Sequence, residues 1–441
     1  MSASLFRGGI HPPARKELAR EAPLTPGPIP SRAVIHFSQH IGSPAKPVVS
    51  VGDKVKAGQL IGEPAGFVSV AVHATISGTV TEILRRMHPS GRPSLACIIE
   101  ADGRDEWIDL EAREALRTQE EICAMLRTAG IVGLGGATFP THVKLSPPES
   151  KRIDLLIVNG AECEPYLTAD ERLMIEKPEA VLKGAKFFAR ALSASQGVIA
   201  VEDNKPKAIE SMQRATLSDP VFKVRKIPTK YPQGAEKQLI QALTGRVVPS
   251  GGFPMDVGVV VQNVGTAFAA FEAGHFGKPL VERVITVTGE GVERPANLVV
   301  RLGTPIQDLL DHCGVKRRKK WKVICGGPMM GVAQWDLQVP VIKGTSGLLV
   351  LPKEVLPDVR EMPCIRCGRC VQSCPIHLVP CELGELAQAE RYEEADRYGV
   401  NDCIECGCCT FICPSRRPLV QLIRKAKQKL RERAPRKAAS S

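Results

Sequence analysis

From about Val34 to Leu84 short apolar runs alternate with turn residues: Lys46-Pro47-Val48-Val49, Val51-Gly52-Asp53-Lys54-Val55, Gln59-Leu60-Ile61-Gly62 and the stretch from Val72 to Val80. Runs that short, punctuated that often, predict a small β-sandwich. Beyond it the period lengthens. Thr118 to Ala129 reads as a helix, with Thr118 and Glu121 placed as a capping box and Ile122, Met125 and Leu126 on one face. Ile153 to Val158 is almost continuously apolar, as a strand buried on both faces requires. Helices over 178–192, 235–243 and 266–276 then alternate with strands over 197–201 and 257–261, the signature of a parallel sheet. From Val284 to Gly331 two strands, a helix from Ile306 to His312 and a returning strand at Val323 predict a β-grasp-like unit.

The last third changes character again. Glu382 to Tyr398 is helical in pattern, but Glu390 and Arg391 interrupt the stripe, so one helix with a polar gap and two short helices both fit. Further on, Leu419, Leu422, Ile423, Ala426 and Leu430 line one face amid Arg424, Lys425, Lys427, Lys429, Arg431 and Arg433. Such a helix suits an acidic membrane surface or a partner subunit. It equally suits packing on its own domain with a solvated basic side.

The 441 residues, 24% charged and 43% hydrophobic, have room for two to four domains. The net charge of +12 admits nucleic acid, an anionic membrane surface or an acidic protein as partner, and the 4% aromatic content weighs against nucleic acid. No apolar run approaches the roughly 20 residues that cross a bilayer, and the N-terminus shows no apolar signal core, so neither export nor a membrane span is expected. Residues 1–30, rich in proline and charge, read as an extended surface arm.

Candidate chemistry is concentrated in two stretches. Cys364-x2-Cys367-x2-Cys370-x3-Cys374-Pro375 recurs as Cys403-x2-Cys406-x2-Cys409-x3-Cys413-Pro414. This is the two-cluster ferredoxin spacing, in which the fourth cysteine of each motif ligates the other cluster. Cluster one is thus expected on Cys364, Cys367, Cys370 and Cys413, and cluster two on Cys403, Cys406, Cys409 and Cys374. Zinc knuckles, the competing reading, pair two couplets and have no need of a third evenly spaced cysteine. The remaining cysteines have no disulfide-like spacing, which fits a reducing compartment; the spacing favours Cys409 over the adjacent Cys408 as ligand.

The second stretch is Gly130-Ile131-Val132-Gly133-Leu134-Gly135-Gly136-Ala137-Thr138-Phe139-Pro140, followed by Lys144. Its backbone can approach a ligand closely and offer N–H groups to a phosphate. It is neither a P-loop nor the dinucleotide fingerprint, and a glycine turn without a ligand is the competing reading. Asn159-Gly160-Ala161-Glu162-Cys163-Glu164-Pro165 stands at the carboxyl end of the predicted buried strand, where open α/β sheets bind ligands. Glu162 and Glu164 there suit ribose hydroxyl or flavin N–H donors, with a solvated acidic loop as the alternative.

These stretches, with Tyr231-Pro232-Gln233-Gly234-Ala235-Glu236 and Gln262-Asn263-Val264-Gly265-Thr266, resemble the NADH-binding flavoprotein subunit of complex I. The resemblance implies that Gly133, Gly135, Gly136, Ala137, Phe139, Lys144, Asn159 and Asn263 hold FMN. It also implies that Tyr231, Glu162, Glu164 and Glu236 help to seat FMN or NADH. Leu134 stands where that family's loop carries an arginine. The full layout, from Phe6-Arg7-Gly8-Gly9-Ile10-His11-Pro12-Pro13 onward, is closer to the C subunit family of the Rnf electron-transport complexes.

The implied fold is multidomain α/β. An arm (1–30) precedes a barrel-sandwich-hybrid-like β domain (31–112) resembling biotinyl carriers. A flavin-binding α/β domain (113–280), a β-grasp (SLBB-like) unit (281–350), a helical two-cluster ferredoxin domain (351–418) and a basic amphipathic helix and tail (419–441) follow. No lysine occurs between Ala57 and Leu84, so the carrier-like domain is expected to be structural rather than covalently loaded. The resemblance further implies two [4Fe-4S] clusters, non-covalent FMN and NAD(H) as substrate. It implies integral-membrane and iron–sulfur subunits as partners, and a peripheral place on the cytoplasmic face of the bacterial inner membrane. A flavin is needed between a hydride donor and one-electron clusters, and no general acid or base is required. Arg366, Arg369, Arg416 and Arg417 put positive charge beside the clusters, to raise their potentials or to form a docking rim. A soluble flavin and iron–sulfur reductase of the cobalamin reductase type is the alternative.

Overall fold

Two glycines show how tightly the elements meet. A Cβ on Gly184 would stand 1.7 Å from the Ala267 carbonyl oxygen, and one on Gly78 would stand 1.9 Å from that of Glu100. The computed structural model describes residues 6–113, 115–315, 321–356 and 360–433. The first five residues of the arm and the tail beyond 433 lie outside them. The chain divides into two units: Ala14–Ile227 with Pro254–Leu356, and Met1–Pro13 with Pro228–Phe253 and Pro357–Ser441.

The larger unit begins with the β-sandwich. Strands Arg32–His36, Pro93–Ala101, Gly78–Met87 and Lys54–Val55 form one antiparallel sheet, and Lys46–Pro47, Leu60–Glu63 and Val72–His73 a second. Ala33, Ile35, Phe37, Ile61, Val80, Cys97 and Ile99 fill the space between them. Alternation along Arg32–His36 sends Ala33 and Ile35 inward, as a half-buried strand should.

Next comes a four-stranded parallel sheet in the order Phe222–Ile227, Gln196–Glu202, Leu155–Gly160, Val259–Asn263. Leu155 to Val158 are all buried, which explains the unbroken apolar run. Gln119–Thr128 carries the expected capping box, and Pro178–Leu192, with proline in its first turn, packs on Val264–Phe276 at Gly184. Helices Ala169–Glu176 and Pro206–Ala215 and the charged edge strand Phe222–Ile227 complete the layer.

The β-grasp unit is larger than its sequence pattern indicates. Its six-stranded sheet runs Leu24–Pro26, Ala296–Arg301, Glu282–Thr288, Gly347–Pro352, Trp321–Cys325, Val332–Gln334, with the helix Ile306–His312 alongside. The arm is therefore not a surface strap throughout: Leu24–Pro26 is an edge strand parallel to Ala296–Arg301, and Lys16 and Ala19 are buried. An edge position tolerates Pro26, which lacks an N–H for the ladder.

In the smaller unit the stripe over 382–398 resolves into two helices, Pro380–Gln388 and Tyr392–Arg397, with Glu390 between them at φ 57. The basic helix Leu419–Arg433 lays Ile423 and Ala426 on Leu383, Leu386, Tyr392 and Ala395. Most of its charges are paired within the unit, Arg424 and Lys427 with Glu405, Lys425 with Glu390 and Arg433 with Glu393. Packing on its own domain thus accounts for the apolar face. Among the described residues no helix is long and apolar enough to cross a membrane.

Candidate functional site

In the larger unit the glycine stretch folds back on itself. Gly133 N–H donates to the Phe139 carbonyl at 2.9 Å, Thr138 N–H returns to that of Gly133 at 3.1 Å, and Leu134 N–H reaches Thr266 Oγ1 at 2.9 Å. Gly135, Gly136 and Ala137 are left exposed at the tip. Gly136, at φ 109, requires the freedom of glycine, and a Cβ built on it meets nothing within 4 Å.

Of the other expected residues of this unit, Asn263 lies against the loop. A Cβ on Gly135 would lie 3.5 Å from that of Asn263. Asn263 caps the helix Val264–Phe276 by accepting from Gly265 and Thr266 N–H, and its Nδ2 donates to Asp170 at 2.7 Å. Lys144, half-buried, donates to the Val261 carbonyl at 3.1 Å, and Asn159 Oδ1 accepts from Ala161 N–H at 3.0 Å. The open face over Gly136, the amine of Lys144 and the buried, unpartnered Nε2 of Gln262 fit a flavin nucleotide: room, a cation for phosphate and an unused donor.

The two glutamates are engaged in hydrogen bonds within the protein. Glu162, at φ 47, accepts from Asp170 N–H at 2.7 Å and Glu171 N–H at 3.2 Å, and so caps Ala169–Glu176. Glu164 accepts from Met329 N–H at 3.1 Å and Met330 N–H at 2.7 Å, tying the strand-end turn to the glycine loop of the β-grasp unit. Burial pushes the Glu164 carboxyl up to about 7. Burial and the neighbouring Glu162 push Asp170 up to about 7 as well.

Three buried cations that the sequence does not single out hold this region. Lys16 donates to the carbonyls of Glu162 at 2.9 Å, Glu164 at 3.1 Å and Leu167. Arg283 donates to the carbonyls of Leu134 and Lys343. Lys343 in turn donates to Ala71 and Gly130 carbonyls at 3.1 and 2.7 Å, and burial lowers it to about 7. Arg283 therefore brings positive charge to the back of the loop at Leu134. No local signal marks these residues, because their partners lie far away in sequence.

The smaller unit holds the cysteines of both motifs, Tyr231 and Glu236. The two motifs fold alike: Arg366 and Glu405 have φ 54 and 57, Gly368 and Gly407 φ 73 and 79, and each turn leads into a short helix, Arg369–Gln372 and Cys408–Ile412. Backbone N–H groups face sulfurs at equivalent places, Arg366 to Cys364 at 3.4 Å and Glu405 to Cys403 at 3.3 Å. A pocket is lined by Cys374, Cys403, Cys406, Cys408 and Cys409, with Ile376, Leu378, Ile404 and Ile423 among the apolar walls. Cys413 stands near Cys370 instead, where burial, Cys381 and then Cys413 push the Cys370 thiol up to about 12. Each fourth cysteine thus stands with the other motif. Among the described residues no three His, Cys, Asp or Glu side chains are arranged to hold a single metal ion. Four of the thiols on this pocket, those of Cys374, Cys403, Cys406 and Cys409, have the spacing that fits an iron–sulfur cubane, and Cys408 is a fifth beside them.

The two cysteine groups differ in setting. Cys406, Cys408 and Cys409 are buried, whereas Cys367 is exposed beside Ile365, 67% exposed, and Met362. Cys408 turns its thiol toward Cys406 and, at 4.0 Å, the Tyr231 carbonyl. Arg366, Arg369 and Arg416 are exposed, while Arg417 is buried between Glu361 and Glu385. Tyr231, 2% exposed, donates its hydroxyl to the Cys406 carbonyl at 2.7 Å, and Glu236 opens the helix Glu236–Thr244.

Comparison with known proteins agrees with this layout. Family models match in chain order: the RnfC barrel sandwich hybrid domain over residues 4–104, the Nuo51 FMN-binding domain over 126–272, the SLBB domain over 284–333 and the 4Fe-4S dicluster domain over 358–414. The chain is 48% identical over 438 residues to the C subunit of the proton-translocating ferredoxin:NAD(+) oxidoreductase complex of Clostridium ljungdahlii, covering 98% of this chain and 96% of that one. It is 48% identical to the Na(+)-translocating counterpart of Acetobacterium woodii, covering 96% and 97%. With the C subunit of the ion-translocating oxidoreductase complex of Rhodobacter capsulatus it shares 45% identity, covering 98% and 84%. Among solved structures, an NAD+-reducing [NiFe]-hydrogenase in the air-oxidized state shares the fold at a TM-score of 0.50 and 20% identity, over 71% of this chain and 62% of that one. In its domain order and in sequence over nearly its whole length, the chain belongs to the C subunit family of the ion-translocating ferredoxin:NAD oxidoreductase complexes.

Proposed function

We propose that the protein passes electrons between NAD(H), FMN and two [4Fe-4S] clusters within such a complex. FMN supplies the exchange between a two-electron hydride donor and one-electron carriers. The chain's own residues position it: Gly133, Gly135, Gly136, Ala137 and Phe139 form the cradle, Lys144 offers the cation for the phosphate, and Asn159 and Asn263 fix the strand-end backbone beneath it. Glu162 and Glu164 act through the turn they brace. Cys364, Cys367, Cys370 and Cys413 hold cluster one, and Cys403, Cys406, Cys409 and Cys374 hold cluster two.

The observation that carries this reading is the pocket in which Cys374 of the first motif meets Cys403, Cys406 and Cys409 of the second, with Cys408 beside them. A cluster pair so interlaced serves electron transfer, and the exposure of Cys367 gives cluster one the surface through which a partner is reached. The partners are the integral-membrane and iron–sulfur subunits of the same complex, on the cytoplasmic face of the inner membrane. Contact with lipid runs through those partners, since the apolar face of Leu419–Arg433 is already packed. The test is anaerobic purification with iron, sulfide and flavin counts, then NADH titration followed by EPR. Reduction of FMN without any cluster signal would contradict the reading, and recovery wholly in the soluble fraction of cells at low salt would favour the soluble reductase.

A further inference from the structure

The resemblance places Tyr231 on the flavin side, yet segment 228–253 is spent on the ligand stretches of cluster two. Tyr231 donates to the Cys406 carbonyl at 2.7 Å. Gln238, 3% exposed on the helix Glu236–Thr244, donates Nε2 to the Pro375 carbonyl at 3.2 Å. Ser250 donates to the carboxylate of Asp402, next to Cys403, at 2.6 Å. The arm adds a backbone bond, Gly9 N–H to the Ser373 carbonyl at 2.8 Å.

A planar trans peptide points its C=O and N–H in opposite directions. Neither Tyr231 nor Gln238 is among the residues lining the cavity, whereas Gly407 and Ile376, which own the opposing N–H groups, both are. The Ile376 N–H indeed faces the Cys374 sulfur, together with those of Leu378 and His377. A donor on a carbonyl also polarises the whole peptide, which strengthens its N–H. A cluster gains negative charge on reduction, so N–H groups aimed at it favour the reduced form, while carbonyl oxygens aimed at it oppose it.

We infer that Tyr231 and Gln238 are positioning residues for cluster two, raising its reduction potential by holding two ligand-flanking carbonyls outward and their peptide N–H groups inward. This rests on the cluster assignment proposed above. The experiment compares full-length, anaerobically reconstituted wild type with Tyr231→Phe, Gln238→Met and the double variant, by EPR-monitored redox titration with iron, sulfide and FMN counts. Each single variant is expected to retain iron, sulfide and FMN while one cluster midpoint moves to more negative potential and the other stays. The double variant should move the same midpoint further. Unmoved midpoints, or both moving together as general loosening would produce, overturn the inference. If Tyr231→Phe sheds iron, Gln238→Met decides by itself. Failure of the cluster assignment shows separately, as missing cluster iron in the wild type, and would take this inference with it.

Discussion

Lys16 lies 146 residues before Glu162, yet its ammonium donates to the Glu162 main-chain carbonyl at 2.9 Å and stands 3.9 Å from the same residue's carboxylate. Both side chains are buried, 4% and 6% exposed. Removing one partner of such a pair leaves an uncompensated charge and bare carbonyls. Lys16→Met should therefore cost roughly 3–5 kcal/mol of stability in denaturant unfolding. Because the turn it holds is proposed to shape the flavin cradle, FMN retention after gel filtration should fall as well. Wild-type stability in this variant would remove Lys16 from the account.

The crossed cysteine assignment makes a paired prediction. Cys374→Ser should abolish the cluster of the second motif and Cys413→Ser that of the first, each lowering iron from about eight atoms per chain to about four. The two variants should leave different EPR signals. Identical residual signals would refute the crossing.

Glu164 should leave a mark on the pH dependence of stability. Its carboxyl sits at about 7 in the folded chain against an ordinary 4.5. Between those values the folded state keeps a proton that the unfolded state has lost, so stability contributed by this group is full below pH 4.5 and declines as pH rises toward 7. Glu164→Gln should flatten its share of that decline in urea titrations from pH 4.5 to 7. Asp170, Glu171, Glu202 and Glu272, raised by burial as well, keep a share of the decline in the variant. An unchanged slope in the variant would show that Glu164 titrates normally.

Gly136 tests the cradle itself. A side chain there meets open space but is strained at φ 109. Gly136→Val is expected to lower bound FMN at least tenfold in affinity, about 1.4 kcal/mol, with iron content unchanged. Full flavin occupancy would move the cofactor away from this loop.

Much of the architecture was legible because its causes are local. The capping box at Thr118, the proline-started helix Pro178–Leu192 and the buried strand Leu155–Gly160 all follow from residues a few places apart. Phe222–Ile227 escaped notice because lysines and an arginine alternate along it, as suits a sheet edge that discourages pairing with another chain. Leu24–Pro26 was hidden for a similar reason, being short, mostly exposed and closed by proline.

What the amino-acid order determined by itself was the chemistry: cysteine spacing set the number of clusters, and the glycine loop followed by a lysine, read with the family resemblance, pointed to a flavin nucleotide. Both signals are local, since three cysteines of each cluster, and the backbone that meets a phosphate, come from a stretch of consecutive residues. Only the tertiary structure decided what braces them. Lys16, Arg283 and Lys343 act on carbonyls far along the chain, and Tyr231 belongs with Cys406. A buried donor finds its acceptor through packing, and the main-chain carbonyls they seek are the same at every position, so no spacing pattern announces the pairing.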